Sequence, residues 1–304
     1  MTAATASGRR DAIDSVAVAL MILLTLSWGF NNILVKITNV GFNPVFATCI
    51  RSAIAAVFVF AWCRWRGIAL FERDGTLLPG IVAGALFGLE FALIFFGLDF
   101  TSVARSVLMT NTMPFWVLVG AHFLLGERMS VRKVAGLVLA FLGVGIVFSD
   151  KLSVIGPNAI VGDLMCLAAG LLWGATTLVI KSTRLAHASA EKILLYQLAV
   201  SAFVVLPLVP LAGPVLREIS VVATATLLFQ AVYIAAFTYV LWFWLVRHYP
   251  ASGLSSFAFL TPVFGVFLGG VLLDEPLSPR IFVALAMVAA GLIIVNAPQR
   301  KQES

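Results

Sequence analysis

Charge is scarce in this chain. Only 11% of its 304 residues are Asp, Glu, Lys or Arg, against roughly 25% in a soluble domain. Such a chain cannot clothe itself in hydrated surface. Its 61% hydrophobic residues and mean hydropathy of +1.05 put most side chains against lipid or other apolar helices. Cysteine is also sparse. The three present, Cys49, Cys63 and Cys166, lie inside apolar runs, which excludes a disulfide framework or a cysteine metal set and leaves them as small packing residues. There is no HExxH, no nucleophile elbow and no pair of intramembrane carboxylates, so nothing supports an intramembrane enzyme. No Walker motif is present, so ATP-driven transport is not encoded here. The net charge of +6 is spread over short loops rather than along one stripe, which argues against a nucleic-acid partner. The first apolar run, from Ser15, is of spanning length rather than a short signal-peptide core, so no cleavable leader is expected.

What the chain has in place of charge is apolar length. Ten segments approach the roughly 20 residues that cross a bilayer as a helix, at about 15–36, 44–64, 77–98, 102–124, 131–149, 159–181, 190–211, 220–245, 252–272 and 279–297. Asn43-Pro44, Asp74-Gly75, Gly126-Glu127, Gly156-Pro157, Gly213-Pro214, Tyr249-Pro250 and Glu275-Pro276 separate them, all good loop formers. Segments this long and uniformly apolar exclude the alternating strands of a membrane barrel. The predicted fold is therefore an all-α membrane protein of ten spans. Residues 1–14 and 298–304 are read as polar tails. Arg9, Arg10, Arg64, Arg66, Arg73, Arg128, Arg132, Lys133, Lys181, Arg184, Lys192, Arg247, Arg300 and Lys301 fall on one side, with Lys36, Lys151, Arg217 and Arg280 opposite. The positive-inside rule then places both termini in the cytoplasm.

The chain also repeats itself. PFWVLVGAHFLLGERMSVRK from Pro114 recurs as PVFGVFLGGVLLDEPLSPR from Pro262, pairing Glu127 with Glu275 and Ser130 with Ser278 about 148 positions apart. Trp28-Gly29 with Lys36 recurs as Trp173-Gly174 with Lys181, and Arg51 falls opposite Gln197. Each half, 15–150 and 157–297, holds five spans, an odd number, so the second half enters the membrane upside down. Inverted repeats with a midplane site between them are the usual build of secondary transporters.

Trp28-Gly29, Gly97-Leu98, Thr101-Ser102-Val103-Ala104, Pro114 with Leu125-Gly126-Glu127-Arg128, Gly143-Val144, Trp173, Trp242-Phe243, Pro250-Ala251-Ser252, Thr261-Pro262-Val263 and Asp274-Glu275-Pro276 give a pattern over about 280 residues. It resembles the drug/metabolite transporter superfamily in its EamA-domain branch, and within that branch bacterial amino-acid exporters of the YddG type. The resemblance implies ten helices in two inverted EamA repeats and alternating access. It does not fix the substrate.

Polar residues inside apolar helices are the site candidates, because an ionisable group in hydrocarbon costs at least about 2.5–3.5 kcal/mol. Glu90 is the one carboxylate midway along a span. It either faces a wet cavity, holding an ammonium or a proton, or is buried against neighbours. Asn31 and Asn32, with Thr176 and Thr177 at the equivalent places, either flank a zwitterion or form interhelical hydrogen bonds of about 0.6 kcal/mol each. Asn111 in the patch Met109–Met113, Gln230, Trp173 and Tyr239 are further substrate-binding candidates, while Trp242 and Trp244 read as interfacial anchors. Arg51 and Arg105 either meet a substrate carboxylate at an outer gate, or snorkel, or pair with a helix end or Asp99. Gly80, Gly84 and Gly88 form a close-packing face. Pro114 and Pro262, read as lying inside their helices, are the hinge candidates. Glu127 and Glu275 are read as capping the helices that follow them.

The function these features favour is a secondary transporter. It would export small metabolites, neutral or aromatic amino acids foremost, across a bacterial-type inner membrane. A carrier for drugs, nucleotide sugars or phosphorylated compounds is the alternative. No cofactor or metal is expected. The expected partners are a small-molecule substrate and the lipid bilayer, with no nucleic acid and no obligate protein partner.

Overall fold

Polar residues start most of the helices, because the first turn of a helix leaves amide protons without partners. The computed structural model describes residues 12–98, 100–149, 158–273 and 279–297, which are nearly all helical; among them there is no strand, only an isolated bridge between Phe42 and Leu216. The Asp14 carboxylate accepts from Ala17 N at 2.9 Å to start α1 (Ser15–Gly41). Asn43 does the same for α2 (Pro44–Arg66), which stops at Gly67 with φ 66°. Then come α3 (Leu77–Leu98), α4 (Val103–Thr110), α5 (Met113–Leu125) and α6 (Val131–Phe148). The second half holds α7 (Ala159–Ser182), α8 (Ala190–Val205), α9 (Val221–Phe229), α10 (Tyr239–His248), α11 (Ala251–Ser256), α12 (Leu260–Leu273) and α13 (Arg280–Asn296). Among the described residues, nine helical segments are long and apolar enough to cross a membrane, and Arg280–Asn296 is a shorter apolar helix.

Four expected spans are not uniform α-helices. The fourth divides at Asn111 and Thr112, whose side chains bond back to Val107 O at 2.8 Å and Met109 O at 2.7 Å and compete with the helical ladder. The ninth divides at the 3₁₀ turn Phe257–Phe259. Pro114 and Pro262 therefore sit in the first turns of α5 and α12 rather than in helix interiors, where a missing N–H costs least. The seventh span ends as a 3₁₀ segment, Leu206–Ala212, carrying Pro207 and Pro210. The eighth loosens into a π-helix from Gln230 to Thr238 between α9 and α10.

Helix contacts follow a twofold pattern. α3 packs on α7 and α8; correspondingly, α9 and the π segment pack on α1, and the π segment also packs on α2. α4 and α5 lie on α7 as α12 lies on α1, while α2·α8 and α6·α13 pair across the axis. At the α6·α13 crossing, a Cβ on Gly136 would lie 2.8 Å from Gly291 O, and one on Gly143 would lie 3.0 Å from Ala284 O. Residues 136 and 284, like 143 and 291, are 148 apart, so each contact is the repeat image of the other. On α3, a Cβ at Gly80, Gly84 or Gly88 would strike Tyr196, Val200 or Val204 of α8. These glycines bring two helices from opposite halves into backbone contact.

The face carrying the ends of α2, α5, α7 and α10 is tied together. The Glu127 carboxylate does not cap α6, whose first turn is held by Ser130 Oγ accepting from Lys133 N at 3.3 Å. It reaches into the other half, accepting from Ala251 N at 2.7 Å, Ser252 N at 3.2 Å and Ser252 Oγ at 2.5 Å. Lys133 Nζ donates to the same Ser252 hydroxyl at 3.2 Å. Tyr249, wholly buried, donates its hydroxyl to Asp14, and Lys181 donates to the Tyr249 carbonyl. The equivalent loop, with Asp274, Glu275 and Ser278, lies outside the described residues.

Candidate functional site

A cavity of about 560 Å³ opens at the seam of the two halves. Its walls are helical stripes, because residues three and four apart share one face of a helix. α2 presents Pro44, Ala47, Thr48 and Arg51, and α12 presents Pro262, Gly265, Val266 and Gly269. α1 adds Asn31, Val35, Thr38 and Asn39, and α3 adds Phe91, Ile94 and Phe95. Ile33, Leu227, Gln230, Val107 and Phe148 complete it. The volume suits a small organic molecule. Asn39 and Pro44 flank the turn joining α1 to α2, so the cavity reaches the face remote from the tied one.

Polar groups are few here and each has a distinct state. Gln230 Nε2 donates to Thr38 Oγ1 at 2.6 Å, and Thr38 Oγ1 lies 2.9 Å from Thr226 Oγ1. The Thr226 hydroxyl proton goes to Ala223 O, so Thr38 is the donor between them and the chain of bonds runs out of the cavity wall. Asn31 Oδ1 is buried with no hydrogen-bond partner. The Arg51 guanidinium stands 5.6 Å above the Phe91 ring, and its Nε is buried and unpartnered. Gln197, at the position equivalent to Arg51 in the other half, is wholly buried, and neither amide atom has a partner.

Of the sequence candidates, the cavity brings together Asn31, Arg51, Gln230 and Pro262. Glu90 is buried in α3 with Oε2 unpartnered, and is not part of the lining. Tyr239 stands behind it, packed on Trp28, Phe87 and Phe243. Thr176 and Thr177 bond back to Leu172 O at 2.9 Å and Trp173 O at 3.3 Å on their own helix. Trp173 packs on the group formed by Met113, Val117, Ala251 and Ala258. Asn111 donates to Val107 O but keeps Oδ1 buried and unpartnered, and Pro114 is buried in the first turn of α5. The side chain of Asn32 lies outside the described residues, as do Asp99 and the Lys36 side chain.

Two expectations are overturned. Arg105 does not snorkel: it forms a salt bridge with Asp163 of α7, which also accepts from Thr101 Oγ1 at 2.6 Å, while Asp99, the pairing expected from the sequence, lies outside the described residues. A cation near a helix end finds a carboxylate across the packed α4·α7 contact. Trp242 is only 4% exposed and meets Trp28 edge-on at 5.7 Å, because the π segment turns it inward; Trp244 is exposed. Thr38, Thr48, Phe91 and Phe95 were missed as lining residues. The signal was available for Thr38, seven residues after Asn31 and therefore on the same face.

The EamA-like transporter family model matches residues 15–149 and again 160–297. The chain belongs to the EamA-like transporter family. Its EamA segments account for the repeat seen in the sequence and in the α6·α13 crossing. A Bacillus subtilis protein described as "uncharacterized transporter YoaV" is 27% identical over 280 residues, covering 90% of this chain and 94% of the relative. An Escherichia coli "probable amino-acid metabolite efflux pump" is 25% identical over 288 residues, covering 90% and 93%. A solved crystal structure superposes with a TM-score of 0.78 at 19% identity, covering 93% of this chain and 99% of the other, which speaks to the fold.

Proposed function

We propose that this EamA-like transporter is an inner-membrane carrier that exports small metabolites, neutral or aromatic amino acids foremost, by alternating access. The observation that carries the reading is the seam cavity reaching one face while the other is held shut by Glu127, Ser252, Lys133, Lys181 and Tyr249. An aqueous path open at one end and closed at the other suits a carrier rather than a channel. The excess of Lys and Arg on the closed side favours cytoplasmic termini and a cavity facing outward. Relatives named as amino-acid metabolite efflux pumps support the substrate class.

In this scheme residues 15–150 and 157–297 rock against each other, with the first turns at Pro114 and Pro262 as hinges beside the helix breaks. Asn31 and Gln230 bind substrate in the present state. Thr176, Thr177, Trp173 and Gln197 of the second half, with Asn111 of the first, meet it when the cavity opens the other way. Glu90 and Tyr239 stand behind the wall, where Glu90 takes up a proton or supports the site. Phosphorylated substrates call for several cations in the cavity, and among the described lining residues Arg51 is alone.

Protein in liposomes should move labelled L-phenylalanine and L-leucine faster than empty liposomes do, and Glu90→Gln should change the rate or its pH dependence. If no amino acid in a broad panel outruns the empty vesicles, the substrate reading is wrong. Normal transport by Glu90→Gln at every pH would make Glu90 structural.

A further inference from the structure

Arg51 is expensive where it stands. It is in the interior of α2, half-buried, with no hydrogen bond or ion pair to its guanidinium, the Phe91 face beneath it and the Tyr239 hydroxyl within reach of its field. A guanidinium carries five donors and cannot shed its charge. Other half-buried arginines find protein partners: Arg105 has Asp163, and Arg247 Nε reaches Ala186 O at 3.3 Å. Arg51 instead lines the cavity, and no carboxylate is among the described residues that line it with Arg51. The cavity thus holds an uncompensated positive charge over an aromatic surface made by Phe91 and Phe95. Asn31 lines the same cavity from α1, its Oδ1 buried and without a hydrogen-bond partner. A cation entering would meet repulsion, and a neutral molecule would leave the guanidinium bare.

We infer that Arg51 is the receptor for a carboxylate on the transported molecule, so that the cavity selects monocarboxylates and zwitterions over amines. The guanidinium fork matches a carboxylate with two parallel N–H···O bonds. The amide oxygen of Asn31 then takes a donor such as an α-ammonium, and Phe91, Phe95 and Ile94 take the apolar body. This deepens the transport reading and rests on it for the word "transported"; the binding site itself does not depend on amino acids being the cargo. It also explains why Gln197, not a second arginine, stands at the equivalent place: one carboxylate needs one guanidinium.

The test compares 3-phenylpropionate, L-phenylalanine and phenethylamine, which share a phenyl ring but differ in their charged groups. Binding to detergent-purified full-length protein is measured by calorimetry. Wild type should bind both carboxylates and reject phenethylamine. Arg51→Gln should lose carboxylate affinity by about tenfold or more, as expected for a bidentate charge-assisted pair. Arg51→Lys keeps the charge without the fork and should fall between them while still rejecting the amine. If Arg51→Gln does not yield monodisperse protein, the Lys variant decides. Phenethylamine bound as tightly as 3-phenylpropionate, carboxylate affinity unchanged in the variants, or no carboxylate bound at all would overturn the assignment. Arg51-dependent binding of 3-phenylpropionate without binding or transport of L-phenylalanine would uphold it and sink the amino-acid reading instead.

Discussion

Asp74 shows what a single carboxylate does in a chain this poor in charge. It accepts from Lys192 Nζ at 2.7 Å, Thr76 Oγ1 at 2.6 Å and Thr76 N at 3.0 Å, and Lys192 is only 4% exposed. The Lys192 and Thr76 hydrogen bonds hold the Asp74 carboxyl well below the usual carboxylate range. Because the folded value lies below the unfolded value of about 3.9, the contribution is present at neutral pH and lost as pH falls from about 4 through the folded value. The melting temperature of wild type should fall more steeply between pH 5 and pH 3 than that of Asp74→Asn, which should start lower at pH 7; parallel curves would show the pair contributes nothing. Pairings of this kind were not legible in the sequence. Lys192 is 118 residues from Asp74 and Asp163 is 58 from Arg105, and only the packed helices decide which meet. Asn31, Gln230 and Pro262 were legible, since a polar side chain or a proline inside an apolar run is conspicuous whatever its surroundings.

At the scale of the element, the spans follow from hydropathy because an apolar helix of membrane length has few other options. The interruptions do not. The break at Asn111-Thr112 depends on side chains turning back to their own helix, and a nine-residue π segment leaves no mark in an apolar run. Close helix contacts are the testable part. A methyl group on Gly136 or Gly291 would lie 2.8 or 2.5 Å from the opposing backbone carbonyl, which cannot move aside as a side chain could. Gly136→Ala and Gly291→Ala should each destabilise by roughly 1–3 kcal/mol, read as a lower melting temperature in detergent. Gly145, with nothing within 4 Å of its added Cβ, should tolerate Ala. Equal melting temperatures for all three would mean that the α6·α13 contact is looser than described.

For the whole molecule, the duplication was legible but the sealed face was not. The Gly-Glu loop repeats in sequence, yet Glu127 owes its role to the N-terminus of α11 in the other half, and no spacing announces that. Glu127→Gln weakens three contacts across the seam without changing size. It should raise labelling, by a membrane-impermeant maleimide, of a cysteine placed at Ser255 in a background lacking Cys49, Cys63 and Cys166. Unchanged labelling would mean that the seal does not rest on Glu127. The crossing of α6 and α13 has a further consequence. Each half covers the other's surface: α3 packs mainly on α7 and α8, and only lightly on α2 and α4 of its own half. Either half alone would therefore be left with its pairing surface uncovered in the bilayer. It would need a second copy inserted head-down to cover that surface, and one continuous chain carries both copies at a fixed ratio of one to one.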